Sequence, residues 1–96
     1  MRNPHAKIGD RERTELIHLL ELAGREPGML KKVFADILTP AEINEIVARW
    51  QIIKRLAKGE SHRSIATTLH VSVATVYRGA WALEKNGEGF HWMLRR

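Results

Sequence analysis

The clearest hydrophobic periodicity in the chain follows a helix-start signal at residues 39–42. Thr39 suits the N-cap, Pro40 suits the first helical position, and Glu42 completes a capping box. Apolar residues then recur on one helical face: Ile43, Ile46, Val47, Trp50, Ile53, Leu56 and Ala57. Gly59 is expected to end the helix. At about 19 residues it would be nearly 30 Å long, which is more than a compact monomer of this size needs.

Residues 61–83 predict a helix-turn-helix motif, two short helices joined by a tight turn. The contacts between the two helices are predicted to be Ile65, Ala66, Val71 and Val76. Ser72 suits the N-cap of the second helix. His70 stands in the turn, where glycine with a positive φ is usual, and histidine tolerates that conformation better than most residues. An ordinary αα-hairpin is the alternative interpretation of the same pattern.

Three further helices are predicted around these elements. The first begins with Asp10 as its cap and runs to about Ala23, with Gly24 as its stop. The second spans about 28–36, and the last spans about 88–95, after a break at Asn86 and Gly87. No strand pattern occurs, so we expect an all-α fold of about six helices. Residues 1–9 are predicted to be a flexible, basic arm, and residues 10–96 a single helical domain.

The apolar stripe of the first helix is broad. Its members are Leu16, Ile17, Leu19, Leu20, Leu22 and Ala23. A helix lying on the surface of a small monomer shows a narrower stripe, so this pattern favours burial on several sides, as between two subunits. Ninety-six residues also bury only a limited core, and dimerisation is a common remedy.

Composition narrows the range of partners. The 16 Lys and Arg against 11 Asp and Glu give a net charge of +5, which favours a polyanionic partner. The absence of cysteine excludes disulfides and thiolate metal sites. No apolar run reaches membrane-spanning length, and no nucleophile–base pattern or paired histidine spacing occurs. We therefore expect a cytoplasmic protein that is not an enzyme, carries no metal or cofactor and has no membrane partner.

Several segments together resemble the Trp repressor family. They are LTPAE (38–42), the pair Ala48–Arg49, LAKGE (56–60) and VATVYRGAWAL (73–83). The resemblance covers about residues 33–83 and implies an intertwined homodimer in which the first and third helices of both chains share one core. It also implies a bacterial transcriptional repressor that is associated with the nucleoid when bound to DNA.

The resemblance further implies L-tryptophan as corepressor and assigns its ligand positions. Arg49 and Arg78 match the two arginines that flank the indole ring, and Gly79 matches the glycine that leaves room for it. Thr39 matches the hydroxyl that meets the ligand carboxylate across the dimer, and Leu38 lies where backbone carbonyls receive the ammonium. The chemistry is suitable, because planar guanidinium both stacks on aromatic rings and binds carboxylate. Ala82 departs from the family pattern, which often places a hydroxyl there, and the bulky Trp81 stands beside it.

For DNA, the same resemblance matches Arg63 to a base-contacting arginine, and arginine to guanine is the commonest specific contact. Val73 and Ala74, at the start of the second motif helix, are expected to face base edges. The remaining groove or phosphate candidates are His62, Thr75 and Tyr77.

Three functions are compatible with the sequence. We expect a sequence-specific DNA-binding repressor activated by L-tryptophan. A regulator of the same fold with no ligand, or with a different one, is the first alternative, and Ala82 is the feature that favours it. A helical RNA-binding or protein-interaction module is the alternative from another class.

Overall fold

The computed structural model describes residues 8–96, which form six α-helices joined by short connections and contain no strand. The helices are α1 Asp10–Gly24, α2 Met29–Ile37, α3 Pro40–Ala57, α4 His62–Leu69, α5 Val73–Lys85 and α6 Glu88–Leu94. The prediction of an all-α fold with about six helices is confirmed. Most of the predicted basic arm, residues 1–7, lies outside the described residues.

The start of α1 differs from the prediction. Gly9, not Asp10, is the N-cap, and its backbone N–H donates to Glu12 Oε1 at 2.8 Å. Asp10 is instead the first helical residue, and its carboxylate pairs with Arg13 at 2.9 Å. The glutamate reaches back over one turn to the N–H of the cap residue, so the helix can begin one residue earlier than a capping aspartate would require.

Helix α3 begins at Pro40 as predicted, and the chain then turns at Gly59. This residue has φ 85°, the left-handed conformation that glycine adopts without steric cost. The N–H of Gly59 bonds to the carbonyl of Leu56 at 3.0 Å, and that of Glu60 bonds to the carbonyl of Arg55 at 3.2 Å. An ion pair of 2.9 Å between the side chains of Arg55 and Glu60 closes the same turn. These bonds satisfy carbonyls that the last helical turn leaves free.

The chain divides into two compact units, residues 1–40 and residues 41–96. In the described part of the first unit α1 packs against α2, and Ala23 is the one buried residue. Four large apolar side chains of α1, those of Leu16, Ile17, Leu19 and Leu22, stay exposed, from 40% for Leu16 to 56% for Ile17, whereas Leu20 is half-buried. The predictions of a shared dimer core and of a single domain over residues 10–96 remain predictions.

The core of the second unit lies where α3, α4 and α5 meet. Its buried members are Ile52, Ile65, Ala66 and Val76, with Leu56, Leu69 and Val71 packed against them. The predicted apolar face of α3 is incomplete, because it omits Ile52, which is 1% exposed; Val47, which it includes, is 51% exposed in the single chain. The other two helices contact α3 on the side that carries Ile52, and the spacing of apolar residues within α3 alone does not reveal that side.

Candidate functional site

Residues 61–85 form the predicted helix-turn-helix motif. Ser61 Oγ accepts the N–H of Ser64 at 3.1 Å at the start of α4, and Ser72 Oγ accepts the N–H of Thr75 at 3.1 Å at the start of α5. Between the helices, His70 adopts the left-handed conformation (φ 57°, ψ 43°) expected of it. The N–H groups of His70 and Val71 both bond to the carbonyl of Ala66, so the turn is fixed by the end of α4.

Packing inside the motif also follows the prediction. Ile65 and Val76 are fully buried, Ala66 is 7% exposed, and Val71 packs partly buried against them. The buried faces of α4 and α5 direct other side chains to the surface. Among the predicted DNA-binding residues, Arg63, Val73, Ala74 and Tyr77 are exposed. The start of α5 therefore presents small side chains, Val73 and Ala74, that are free to approach another molecule.

A shallow groove of about 490 Å³ runs along the outer side of α5. It is lined by His62, Tyr77, Arg78, Ala80, Trp81 and Glu84. The rings of His62 and Tyr77 meet edge to face with 4.5 Å between their centroids, and Lys85 Nζ lies 4.4 Å from the centroid of the Trp81 ring. Tyr77 and Trp81 thus add two exposed aromatic rings to the surface of α5 beyond its first turn.

A larger cleft of about 660 Å³ lies in the second unit, on the other side of α5. Its lining comes from α3, from the turn of the motif, from α5 and from α6: Glu45, Ala48, Arg49, Ile52, Val71, Ser72, Thr75, Arg78, Gly79, Ala82 and Phe90. The two arginines assigned to the indole ring, Arg49 and Arg78, therefore line one cavity although they belong to different helices. Arg78 also lines the outer groove, so its side chain lies between the two cavities.

Gly79 has a structural role that its sequence position does not reveal. A Cβ at this residue would stand 2.9 Å from Ile52 Cγ2, closer than carbon atoms pack. The backbone of α5 can approach α3 at this point because the side chain is absent. Gly79 thereby helps to set the width of the cleft as well as its lining.

The structure brings together some of the predicted site residues and not others. Arg49, Arg78 and Gly79 line the cleft, whereas Leu38 and Thr39 belong to the first unit and their roles remain predictions. Thr75, assigned to DNA, is half-buried and lines the cleft, with its hydroxyl 2.8 Å from Ser72 Oγ. Ala82 lines the cleft too, so the departure from the family pattern lies within the cavity.

Glu45 and Phe90 are among the cleft residues that sequence reasoning did not identify. Glu45 stands four residues before Arg49 on α3, a spacing that places the two on one helical face and could have indicated it. Phe90 is contributed by α6, and its position in the cleft depends on the turn at Asn86 and Gly87. No local pattern in the sequence indicates where that turn directs the last helix.

Two negative findings apply to residues 8–96. No helix there is long and apolar enough to cross a membrane. Within the same range, no group of three or more histidine and acidic side chains is placed to hold a metal ion.

Comparisons with known proteins identify the family of this chain. The model of the family described as Trp repressor protein matches residues 12–96. Neither the comparison with curated proteins nor that with solved structures finds a match. The match extends well beyond the segments quoted above, from α1 through the last helix, and it covers the motif and every residue of the cleft. The chain therefore belongs to the Trp repressor family, a family of transcription regulators.

Proposed function

We propose that the protein is a sequence-specific DNA-binding repressor that acts as a homodimer and takes L-tryptophan as its corepressor. The observation that carries the proposal is the position of the cleft. Arg78 and Gly79 line it from α5, the same helix that begins with the exposed Val73 and Ala74. A ligand bound to Arg49 and Arg78 would therefore contact both α3 and the helix proposed to read DNA.

The mechanism follows from this geometry. In a dimer, two recognition helices must sit about 34 Å apart to enter successive major grooves. A ligand wedged between α3 and α5 sets the tilt of α5, and it stabilises the conformation in which it fits best. Ligand binding then increases the fraction of dimers that have the DNA-binding spacing. The size of this increase is set by the difference in the ligand's affinity for the two conformations. The exposed apolar side chains of α1 support the dimer, because a free monomer rarely leaves so many of them in water.

The DNA interface is tested by selection of duplexes from a random library with the purified protein. We expect one sequence class to be enriched. In fluorescence anisotropy, Arg63→Ala should then weaken binding to that class by about 1–3 kcal/mol, since arginine contacts to guanine have this magnitude. Arg95→Ala is the matched control, because it removes an equal charge outside the motif. If both variants lose the same duplex affinity, only nonspecific charge attraction explains the binding. If the protein binds RNA more strongly than duplex DNA across a salt series, an RNA-binding module is favoured.

The corepressor is tested by calorimetry with L-tryptophan, followed by anisotropy on the selected duplex with and without it. We expect Arg49→Leu to weaken tryptophan binding by about 2- to 30-fold, because the contact of a guanidinium with an aromatic face contributes about 0.5–2 kcal/mol. Arg95→Leu should leave tryptophan binding unchanged. If the affinity for the duplex is the same with and without tryptophan, the proposal of a corepressor fails, whereas the proposal of DNA binding stands.

A regulator with no ligand, or a different one, is the second candidate. Ala82 favours it, because this residue presents a methyl group to the cleft where the family often has a hydroxyl. The same calorimetric titration distinguishes the two candidates.

A further inference from the structure

The cleft contains three charged side chains of opposite sign. Arg49 and Arg78 carry positive charge, and among the described residues of the lining only Glu45 carries a carboxylate. The ion pairs that join Arg13 to Asp10 and Arg55 to Glu60 involve none of these three. Glu45 and Arg49 are one helical turn apart, at a spacing where such pairs often form, yet their charges stay unpaired.

The rest of the lining offers few acceptors for a cationic group. Arginine only donates hydrogen bonds. The hydroxyls of Ser72 and Thr75 bond to each other at 2.8 Å, and Ser72 Oγ also accepts a backbone N–H. Ala82 contributes a methyl group, and Ile52, Val71 and Phe90 contribute apolar surface. Among the side chains of the cleft, the carboxylate of Glu45 is therefore the strongest acceptor that is not already bonded.

From this charge pattern we propose that Glu45 binds the ammonium group of the ligand and makes the cleft selective for amines. The assignment rests on the proposed amino-acid site, and it adds a charged acceptor to the backbone carbonyls at Leu38 that the family resemblance implies for the same ammonium group. A ligand with one carboxylate and one ammonium pairs its carboxylate with a guanidinium and its ammonium with Glu45. A ligand that has the same ring and carboxylate but no amine leaves Glu45 unpaired beside it, and it also places two carboxylates in one cavity.

The experiment compares two ligands, L-tryptophan and indole-3-propionate, which has the same indole ring and carboxylate but lacks the amine. Isothermal titration calorimetry is run on the full chain and on two variants. Glu45→Gln removes the carboxylate from the cleft and keeps nearly the same shape. Glu84→Gln makes the same charge change at an exposed residue of α5 that lines the outer groove instead.

The unaltered chain should prefer L-tryptophan. Glu45→Gln should weaken L-tryptophan binding by about tenfold, because the amide oxygen can still accept a hydrogen bond from the ammonium but lacks the negative charge that strengthens it, and should leave indole-3-propionate binding equal or tighter. Glu84→Gln should change neither. The discriminating quantity is the ratio of the two affinities, because a change in general stability or net charge would move both ligands together.

Two results would overturn the assignment while sparing the proposed corepressor. In the first, Glu45→Gln binds L-tryptophan and the ratio of its affinities for L-tryptophan and indole-3-propionate is the same as in the unaltered chain. In the second, Glu45→Gln binds both ligands more weakly by the same factor. If the unaltered chain binds neither ligand, the corepressor proposal fails as well, so the two failures are distinguishable.

Discussion

The close approach of α5 to α3 at Gly79 makes a quantitative prediction. An alanine Cβ at this residue would lie 2.9 Å from Ile52 Cγ2, whereas carbon atoms pack at about 3.5–4.0 Å. One of the two helices must therefore move by about 0.6 Å or more. Ile52 cannot swing aside easily, because it is 1% exposed and its branched Cβ restricts χ1.

The net effect of Gly79→Ala is the sum of two opposing contributions. Overpacking a core costs about 1–3 kcal/mol. Replacing glycine by alanine inside a helix gains about 1 kcal/mol. Because Ile52 is almost fully buried and restricted at χ1, we expect the steric cost to lie in the upper part of its range, about 2–3 kcal/mol, and the free energy of unfolding to fall by about 1–2 kcal/mol. In a domain of this size each kcal/mol corresponds to a Tm decrease of about 4–8 °C.

Urea and thermal unfolding, at one fixed protein concentration, measure this effect. Gly89→Ala is the matched control: it lies within α6, and no atom stands within 4 Å of its added Cβ. We expect it to be neutral or slightly stabilising. Ile52→Leu supplies a second check, because leucine has no branch at Cβ, so Gly79→Ala should cost less in that background. The reasoning is refuted if Gly79→Ala is as stable as the unaltered chain, or if its cost is the same with leucine at residue 52.

Three other substitutions test the motif by urea unfolding. Ser72→Ala should cost about 1 kcal/mol, because it removes the acceptor for the N–H of Thr75; an unchanged midpoint would mean that water replaces the cap. His70→Gly should stabilise the chain by about 1 kcal/mol by relieving the left-handed conformation, and a loss of stability would show that the imidazole makes a needed contact. Ile65→Ala should cost about 2–5 kcal/mol by opening a cavity in the core, and a cost below 1 kcal/mol would contradict its full burial.

The features that depend on neighbouring residues could be predicted from the order of amino acids alone. The serine cap of α5, the proline start of α3 and the left-handed His70 each follow from interactions within a few residues. The four inner contacts of the motif were also predictable, since their spacing is fixed by the two helices and the short turn between them. Such interactions form whenever the local backbone adopts its preferred conformation, so the order of residues is sufficient to predict them.

Which surfaces of the helices meet could not be predicted in this way, because it depends on packing between distant parts of the chain. Periodicity along α3 could not distinguish the buried Ile52 from the exposed Val47, because both are apolar and the choice depends on where α4 and α5 pack. The steric need for Gly79 and the position of Phe90 in the cleft depend on contacts between residues far apart in the chain. Burial of the core between α3, α4 and α5 fixes how these helices approach one another. That approach brings Glu45 and the two arginines into one cavity.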